Sequence, residues 1–72
     1  MFPVILSTID VARICRLSRE TIRRLIRDGD LVAYTVPTGS KRTLWRITDR
    51  SLRSFMREFD MPLEWLDAEV GV

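Results

Sequence analysis

Four arginines lie close together in the chain, with one glutamate among them: Arg19, Glu20, Arg23, Arg24 and Arg27. An arginine guanidinium can donate two hydrogen bonds to the edge of a guanine in the major groove of duplex DNA, and a glutamate carboxylate can accept one from cytosine. The chemistry that these residue types offer is therefore base recognition in double-stranded DNA.

These side chains can act together only if a helix presents them on one face. At 100° per residue, the apolar residues of the segment point to the opposite side: Ile22, Leu25 and Ile26. The alternative is a solvated face whose charges pair with each other four residues apart. That spacing places Arg24 between Glu20 and Asp28, but it also places Arg23 beside Arg27, which is a repulsive pair. Because this network is weak, the pattern favours a DNA-binding face.

Three segments begin with the same arrangement of residues. An apolar residue precedes a hydroxyl-bearing N-cap, which is Ser7, Ser18 or Thr48, and a second apolar residue follows four positions after the cap. The pattern predicts helices over residues 8–15, 19–28 and 49–59, with Gly29 ending the second helix. Only three residues separate the first two helices, which is the short connection that a helix-turn-helix requires.

A β-hairpin is predicted between the second and third helices. Residues 31–36 and 43–47 are rich in β-branched and aromatic side chains, and a Gly-containing turn joins them. Alternation along the second strand places Trp45 on the core face with Ile47, and Arg46 on the opposite face. The hairpin residues that could contact DNA backbone or an adjacent minor groove are Thr38, Ser40, Lys41, Arg42 and Arg46.

The formal net charge of +2 hides an asymmetry along the chain. Residues 1–57 carry twelve basic and five acidic side chains, whereas residues 58–72 carry five acidic and no basic ones. A basic body favours a polyanionic partner, either nucleic acid or an anionic membrane surface. In the acidic segment, Pro62 is expected to open a short helical turn at 63–66. Its apolar residues could cover the domain's own core or dock on a neighbouring copy.

Other residues exclude several classes of function. The chain has no histidine and only one cysteine, so neither a disulfide framework nor a usual zinc site can form. It also shows no nucleophile with its base, no paired carboxylates and no phosphate-binding glycine loop, so we expect neither an enzyme nor a bound cofactor. Cys15 lies on the apolar side of the first helix, which favours a core position over a redox sensor. The aromatic residues Tyr34, Trp45 and Trp65 are scattered, which favours packing over stacking on single-stranded bases.

The apolar run at the N-terminus raises the question of a membrane segment. Residues 1–6 lack a basic leading region, are far too few to span a bilayer and lead directly into the first predicted helix. We therefore expect a cytoplasmic protein that does not bind membranes.

The order of residues along the chain also resembles a known family. The residues that carry the resemblance are Ser7-Thr8, Val11-Ala12, Cys15, Leu17-Ser18, Thr21-Ile22, Leu25, Gly29, Leu31, Ala33-Tyr34, Arg42 and Arg46, followed by a closing helix. Over residues 6–59 this pattern is similar to the MerR-like winged helix-turn-helix family, in the minimal form found in excisionases and small bacterial regulators. The resemblance implies a recognition helix over 18–28 in the major groove and a wing over 37–42.

In that family pattern, the positions facing DNA match Arg19, Thr21, Arg23 and Arg24, and the wing contact matches Arg42. The sequence departs from full-length MerR regulators because it lacks a long dimerisation helix and an effector domain. Nothing in it therefore points to metal or drug sensing.

Together these observations predict one mainly α domain over residues 1–72, a winged helix-turn-helix with a core over 6–59 and an acidic segment over 60–72. The predicted function is sequence-specific binding of double-stranded DNA, as a transcription regulator or an excisionase-type recombination factor, with weak self-association or cooperative binding on the DNA. The predicted contacts of the recognition helix are Ser18, Arg19, Glu20, Thr21, Arg23, Arg24 and Arg27. The rival is a protein-interaction adaptor on the same fold, which should expose an apolar patch on the second helix.

Overall fold

The structure is a computed structural model, and it describes residues 4–37, 39 and 44–71. Within these residues it contains four helices and a three-stranded antiparallel sheet. The elements in chain order are β1 (Ile5–Leu6), α1 (Thr8–Cys15), α2 (Arg19–Arg27), β2 (Tyr34–Val36), β3 (Leu44–Thr48), α3 (Asp49–Glu58) and α4 (Glu64–Val70). This arrangement confirms the predicted mainly α winged helix-turn-helix.

The three predicted N-caps begin α1, α2 and α3. At α1 the cap is reciprocal, because the Asp10 N–H donates to Ser7 Oγ at 3.2 Å and the Ser7 N–H donates to the Asp10 carboxylate at 3.0 Å. The hydroxyls of Ser18 and Thr48 each accept a hydrogen bond of 3.1 Å from the backbone N–H three residues later. α1 has the predicted bounds, and α2 and α3 each end one residue earlier than predicted.

The turn between α1 and α2 depends on a left-handed residue. Arg16 has φ 58°, and its N–H donates to the Arg13 carbonyl at 3.3 Å. The Leu17 N–H donates to the Ala12 carbonyl at 2.9 Å, which closes the end of α1. The chain therefore turns within a few residues and lets α2 pack on α1. Gly29, at φ 85°, follows the end of α2 as predicted.

β3 is the central strand of the sheet, between β1 and β2. Thr35 of β2 lies opposite Trp45, and Leu6 of β1 lies opposite Ile47. Alternation along β3 places Trp45 and Ile47 on the same face, toward the core. Ile47 is fully buried there, whereas Trp45 is only partly buried. Trp45 is not among the residues that pack against the core, so the predicted core position of Trp45 is wrong.

The strands differ from the prediction at three places, one of which is that β3 ends at Thr48 and not at residue 47. Sequence reasoning missed β1, because a two-residue strand has no alternation to read and its partner lies far along the chain. Beside β1, Asp49 donates its N–H to the Val4 carbonyl at 3.0 Å and accepts from the Val4 N–H at 3.3 Å. β2 starts later than the predicted residue 31, because the Leu31 N–H donates to the Leu25 carbonyl at 3.2 Å and belongs to the closure of α2.

α4 completes the core. The largest fully buried side chains are Val11, Ile22, Leu31, Ile47, Leu52, Met56 and Leu66. Leu66 comes from α4, which packs on α1 and α3. The prediction of a turn limited to 63–66 with Pro62 in its first helical position is wrong, because the helix begins after Leu63 and runs to Val70. Trp65 and Val70 pack against the core, and these tertiary contacts extend the helix. Of the two alternatives for the acidic segment, the structure shows the segment covering its own core.

Candidate nucleic-acid interface

α2 packs on the core with one face and exposes the other. Ile22 is fully buried, and Leu25 and Ile26 pack partly buried against the core. The charged residues of the helix are all exposed: Arg19, Glu20, Arg23, Arg24 and Arg27. The structure therefore confirms the predicted orientation of α2 and gathers these five residues on one surface.

The arginines of this surface have no carboxylate partner within the described residues. The ion pairs there, with N···O distances up to 4.0 Å, join Arg13 to Asp10 and Glu69, and Arg53 to Asp67. The alternative network along α2, with Arg24 paired to neighbours four residues away, does not form. The guanidinium groups of α2 are consequently available to an external anion.

Two open grooves run along the sides of α2. One is lined by Arg19, Arg23 and Arg46 together with Ser7, Thr8, Ile9, Leu44 and Trp45. The other is lined by Ser18, Glu20, Thr21, Arg24 and Arg27. α2 thus forms a ridge with arginines on both flanks, and such a ridge can reach both walls of a groove that receives it.

The first groove brings together residues that sequence reasoning left apart. Arg46 of β3 lines the same groove as Arg19 and Arg23, although it lies far from them in the chain. Sequence reasoning missed Ile9, which lines this groove and is 56% exposed. The available signal was its position off the apolar face of α1, which an isoleucine seldom occupies unless it packs on something. The groove therefore combines cationic and apolar groups.

Two of the predicted contacts also hold the helix together. Ser18 Oγ and Thr21 Oγ1 are 2.8 Å apart and share a hydrogen bond, and Ser18 Oγ also accepts from the Thr21 N–H. Ser18 is exposed and Thr21 is partly buried. These hydrogen bonds fix the first turn of α2, from which its arginines follow along the helix.

Most of the predicted wing contacts lie outside the described residues: Thr38, Ser40, Lys41 and Arg42. Of the hairpin set, the structure describes only Arg46, which is partly buried on β3. The described ends of the hairpin are Val36 and Leu44, which face each other across β2 and β3.

The thiol of Cys15 belongs to the core. Cys15 is 2% exposed, and its burial raises the pKa of the thiol from 9.0 to about 11. A thiol that stays protonated at neutral pH is a poor nucleophile, so the core interpretation is confirmed over the redox one. Among the aromatic residues, Trp65 packs against the core, but Tyr34 is exposed, so the packing interpretation is wrong for Tyr34.

The adaptor hypothesis predicted an exposed apolar patch on α2. The exposed large apolar residues in the described part of the chain are Val4, Ile5, Ile9, Leu17, Val32, Tyr34, Val36, Leu44 and Phe59. None of them belongs to α2, whose exposed surface is cationic. The observation therefore disfavours α2 as a surface for apolar protein contacts.

These features define the class of the molecule. Two helices joined by a tight turn, an antiparallel hairpin after the second helix and a closing helix make a winged helix-turn-helix domain. None of the helices in the described ranges is long and apolar enough to cross a bilayer.

A family model described as a helix-turn-helix domain matches residues 5–60, and the chain belongs to that family, which is of the excisionase and MerR-like type. Membership indicates DNA binding by a helix-turn-helix protein. Neither the curated proteins nor the solved structures gave a match.

Proposed function

We propose that this protein binds double-stranded DNA sequence-specifically and acts as a transcription regulator or an excisionase-type recombination factor. The observation that carries the proposal is the exposed ridge of four arginines on α2, none of them paired with a carboxylate within the described residues. The major groove is about 12 Å wide and admits a helix. α2 would lie in it as the recognition helix.

The two flanks of α2 support different contacts. Arg19 and Arg46 border the groove that also contains the apolar Ile9, and they are placed to hold the DNA backbone. Arg23 and Arg24 lie one to two turns into α2, where a recognition helix reaches base edges. We assign base reading to at least one of these two arginines.

The hairpin would supply affinity more than sequence choice. It follows the recognition helix directly, and its connecting segment contains Lys41 and Arg42. Cationic side chains on such a segment suit contacts with phosphates or with the minor groove. We therefore assign Thr38, Ser40, Lys41 and Arg42 to contacts with the DNA backbone or an adjacent minor groove.

The burial of α4 supports weak self-association in solution, with cooperation between copies only on DNA. Leu66 is fully buried within its own domain, and Trp65 and Val70 pack there too. These apolar groups are therefore not free to form a seam with a second copy.

The test is selection of bound sequences from a random duplex library, followed by titrations at several salt concentrations. If about four to six phosphates are neutralised, log K against log salt should have a slope of roughly −4 to −5. A flat salt response, or tighter binding to single strands than to duplex, would contradict the proposal. Selected motifs located at promoters would support the regulator role, and motifs at the ends of an integrated element would support the recombination role.

A protein-interaction role remains the second candidate because of one observation. Tyr34, Val36 and Leu44 share the outer face of the sheet, opposite the core face of Ile47, and all three are exposed. Arg46, opposite Tyr34 in the register, lies on the same face, and a mixed apolar and cationic face of this kind suits a protein partner. If the wild type binds no duplex DNA but binds a protein, and replacing Tyr34 and Val36 with serine abolishes that protein binding, the second candidate replaces the first.

A further inference from the structure

The acidic residues of α4 pair with a particular subset of the arginines. Arg13 of α1 donates to the Glu69 carboxylate at 3.1 Å, and Arg53 of α3 donates to the Asp67 carboxylate at 2.9 Å. Arg16 lies over the ring of Trp65, with its guanidinium carbon 4.1 Å from the centroid. α4 therefore engages arginines of α1, of α3 and of the turn before α2, and leaves the arginines of α2 exposed.

The rotation of α4 about its axis produces this selection. Leu66 is fully buried and fixes the face that α4 turns toward the core. At 100° per residue, Asp67 lies on one side of Leu66, whereas Glu69 and Trp65 lie on the other. α3 is on the first side and α1 on the second, so each acidic residue meets an arginine of a different helix.

Pairing changes how these arginines act on a polyanion. Phosphate contacts favour binding because each neutralised phosphate releases counterions. A phosphate that approaches Arg13 also meets the Glu69 carboxylate, 3.1 Å from the guanidinium. At distances near the Debye length of about 8 Å, the positive charge of Arg13 and the negative charge of Glu69 largely cancel. This holds although an exposed ion pair adds little to the free energy of folding. An arginine paired in this way attracts a phosphate less strongly than an unpaired one.

We propose that Asp67 and Glu69 are specificity-determining residues for DNA binding, because they neutralise Arg53 and Arg13 and so reduce the number of arginines outside α2 and the hairpin that can contact phosphates. The inference rests on the proposed function. Non-specific affinity grows with every phosphate that a protein contacts, and the useful quantity is the ratio of specific to non-specific binding. Pairing removes Arg13 of α1 and Arg53 of α3 from the arginines that can add to non-specific binding, whereas Arg50 and Arg57 of α3 stay exposed without an ion pair among the described residues.

The test compares two variants with the same change in net charge. Asp67→Asn with Glu69→Gln removes both pairing carboxylates, and Asp60→Asn with Glu64→Gln removes two exposed carboxylates that form no ion pair within the described residues. Each protein is titrated with a duplex of scrambled sequence at several salt concentrations. For the first variant we expect the salt slope to steepen by about one, since Arg53 becomes available to neutralise one phosphate while Arg13 keeps Asp10 as a partner at 3.5 Å. The control should change the slope by less than half of that. Equal changes in both variants would show that only net charge matters and would overturn the proposal.

A second pair of substitutions makes the test independent of the folding of the α4 variant. Arg13→Gln with Arg53→Gln is compared with Arg19→Gln with Arg23→Gln, which removes the same charge from α2. Because Arg13 and Arg53 are paired with carboxylates, their loss should make the salt slope shallower by less than half as much as the loss of the two α2 arginines. An equal change of the salt slope in the two variants would show that Arg13 and Arg53 contact phosphates as freely as the arginines of α2 and would overturn the proposal. Elution from immobilised heparin distinguishes a failure of the proposed DNA binding from a failure of the proposed neutralisation by α4. If wild-type protein binds no duplex, the proposed function fails, whereas later elution of the Asp67 and Glu69 variant than of its control still supports neutralisation by α4.

Discussion

Replacing Arg24 with alanine should weaken DNA recognition and leave the fold intact. Arg24 is exposed on α2 and contacts no carboxylate within the described residues, so its removal breaks no ion pair there. Alanine has the highest helix propensity, and the change in folding free energy should stay within about 0.5 kcal/mol. Circular dichroism and a urea titration should give curves close to the wild type.

The loss in binding depends on what the guanidinium contacts. A bidentate contact with a base contributes about 1–3 kcal/mol of discrimination, which corresponds to roughly 5-fold to 150-fold at one base pair. A phosphate contact instead weakens binding to all sequences alike and makes the salt slope shallower by about one. The two roles therefore leave different signatures in the same set of titrations.

The assay is fluorescence anisotropy with a selected site and a panel of its single-base variants, at several salt concentrations. Arg23→Ala is measured in parallel, because Arg23 lies on the other flank of α2. Arg57→Ala is the matched control, since it removes the same charge from an exposed position on α3. We expect at least one of the α2 variants to lose its preference at one base pair, whereas the control keeps the wild-type preference.

If Arg23→Ala and Arg24→Ala both retain the wild-type preference and affinity, α2 does not read bases. The second candidate, a protein-interaction role, would then take the place of the proposed function.

Three further predictions concern stability, each measured by urea unfolding. Leu66→Ala should cost about 2–5 kcal/mol, because Leu66 is fully buried; a loss below about 1 kcal/mol would show that α4 is not part of the core. Arg16→Ala should destabilise the domain by about 0.5–1 kcal/mol, because it removes the stack of the guanidinium on Trp65. Arg16→Gly should be more stable than Arg16→Ala by about 1 kcal/mol, because residue 16 has φ 58° and glycine adopts a positive φ without strain. Equal stabilities of the two variants would contradict the left-handed turn. The hydrogen bond from the Ser7 backbone lowers the pKa of Asp10 in the folded protein. The ionised Asp10 carboxylate therefore adds to the free energy of unfolding above the unfolded pKa of about 3.9, and this addition is lost as the pH falls through the lower folded pKa. Asp10→Asn should remove this loss, which solvent screening keeps below about 1 kcal/mol, and an unchanged acid transition would contradict the assignment.

Local sequence determined the helices and the orientation of the candidate reading face. Ser7, Ser18 and Thr48 each satisfy N–H groups within one turn, and the apolar positions of α2 repeat with the helical period. Both effects involve only residues a few positions apart, so they could be predicted before any tertiary contact was known. The exposure of Arg19, Arg23, Arg24 and Arg27 followed directly from the burial of Ile22, Leu25 and Ile26.

Tertiary structure determined what depends on residues distant in the chain. β1 forms because Leu6 pairs with Ile47, and α4 extends to Val70 because Leu66 reaches the core. The placement of Arg46 beside α2 likewise depends on the sheet. Sequence alone could count the acidic residues after position 57, but it could not show that Asp67 and Glu69 would pair with arginines of α1 and α3 and leave those of α2 exposed. That outcome depends on the rotation of α4 about its axis, which is set by packing and not by any pattern within the helix.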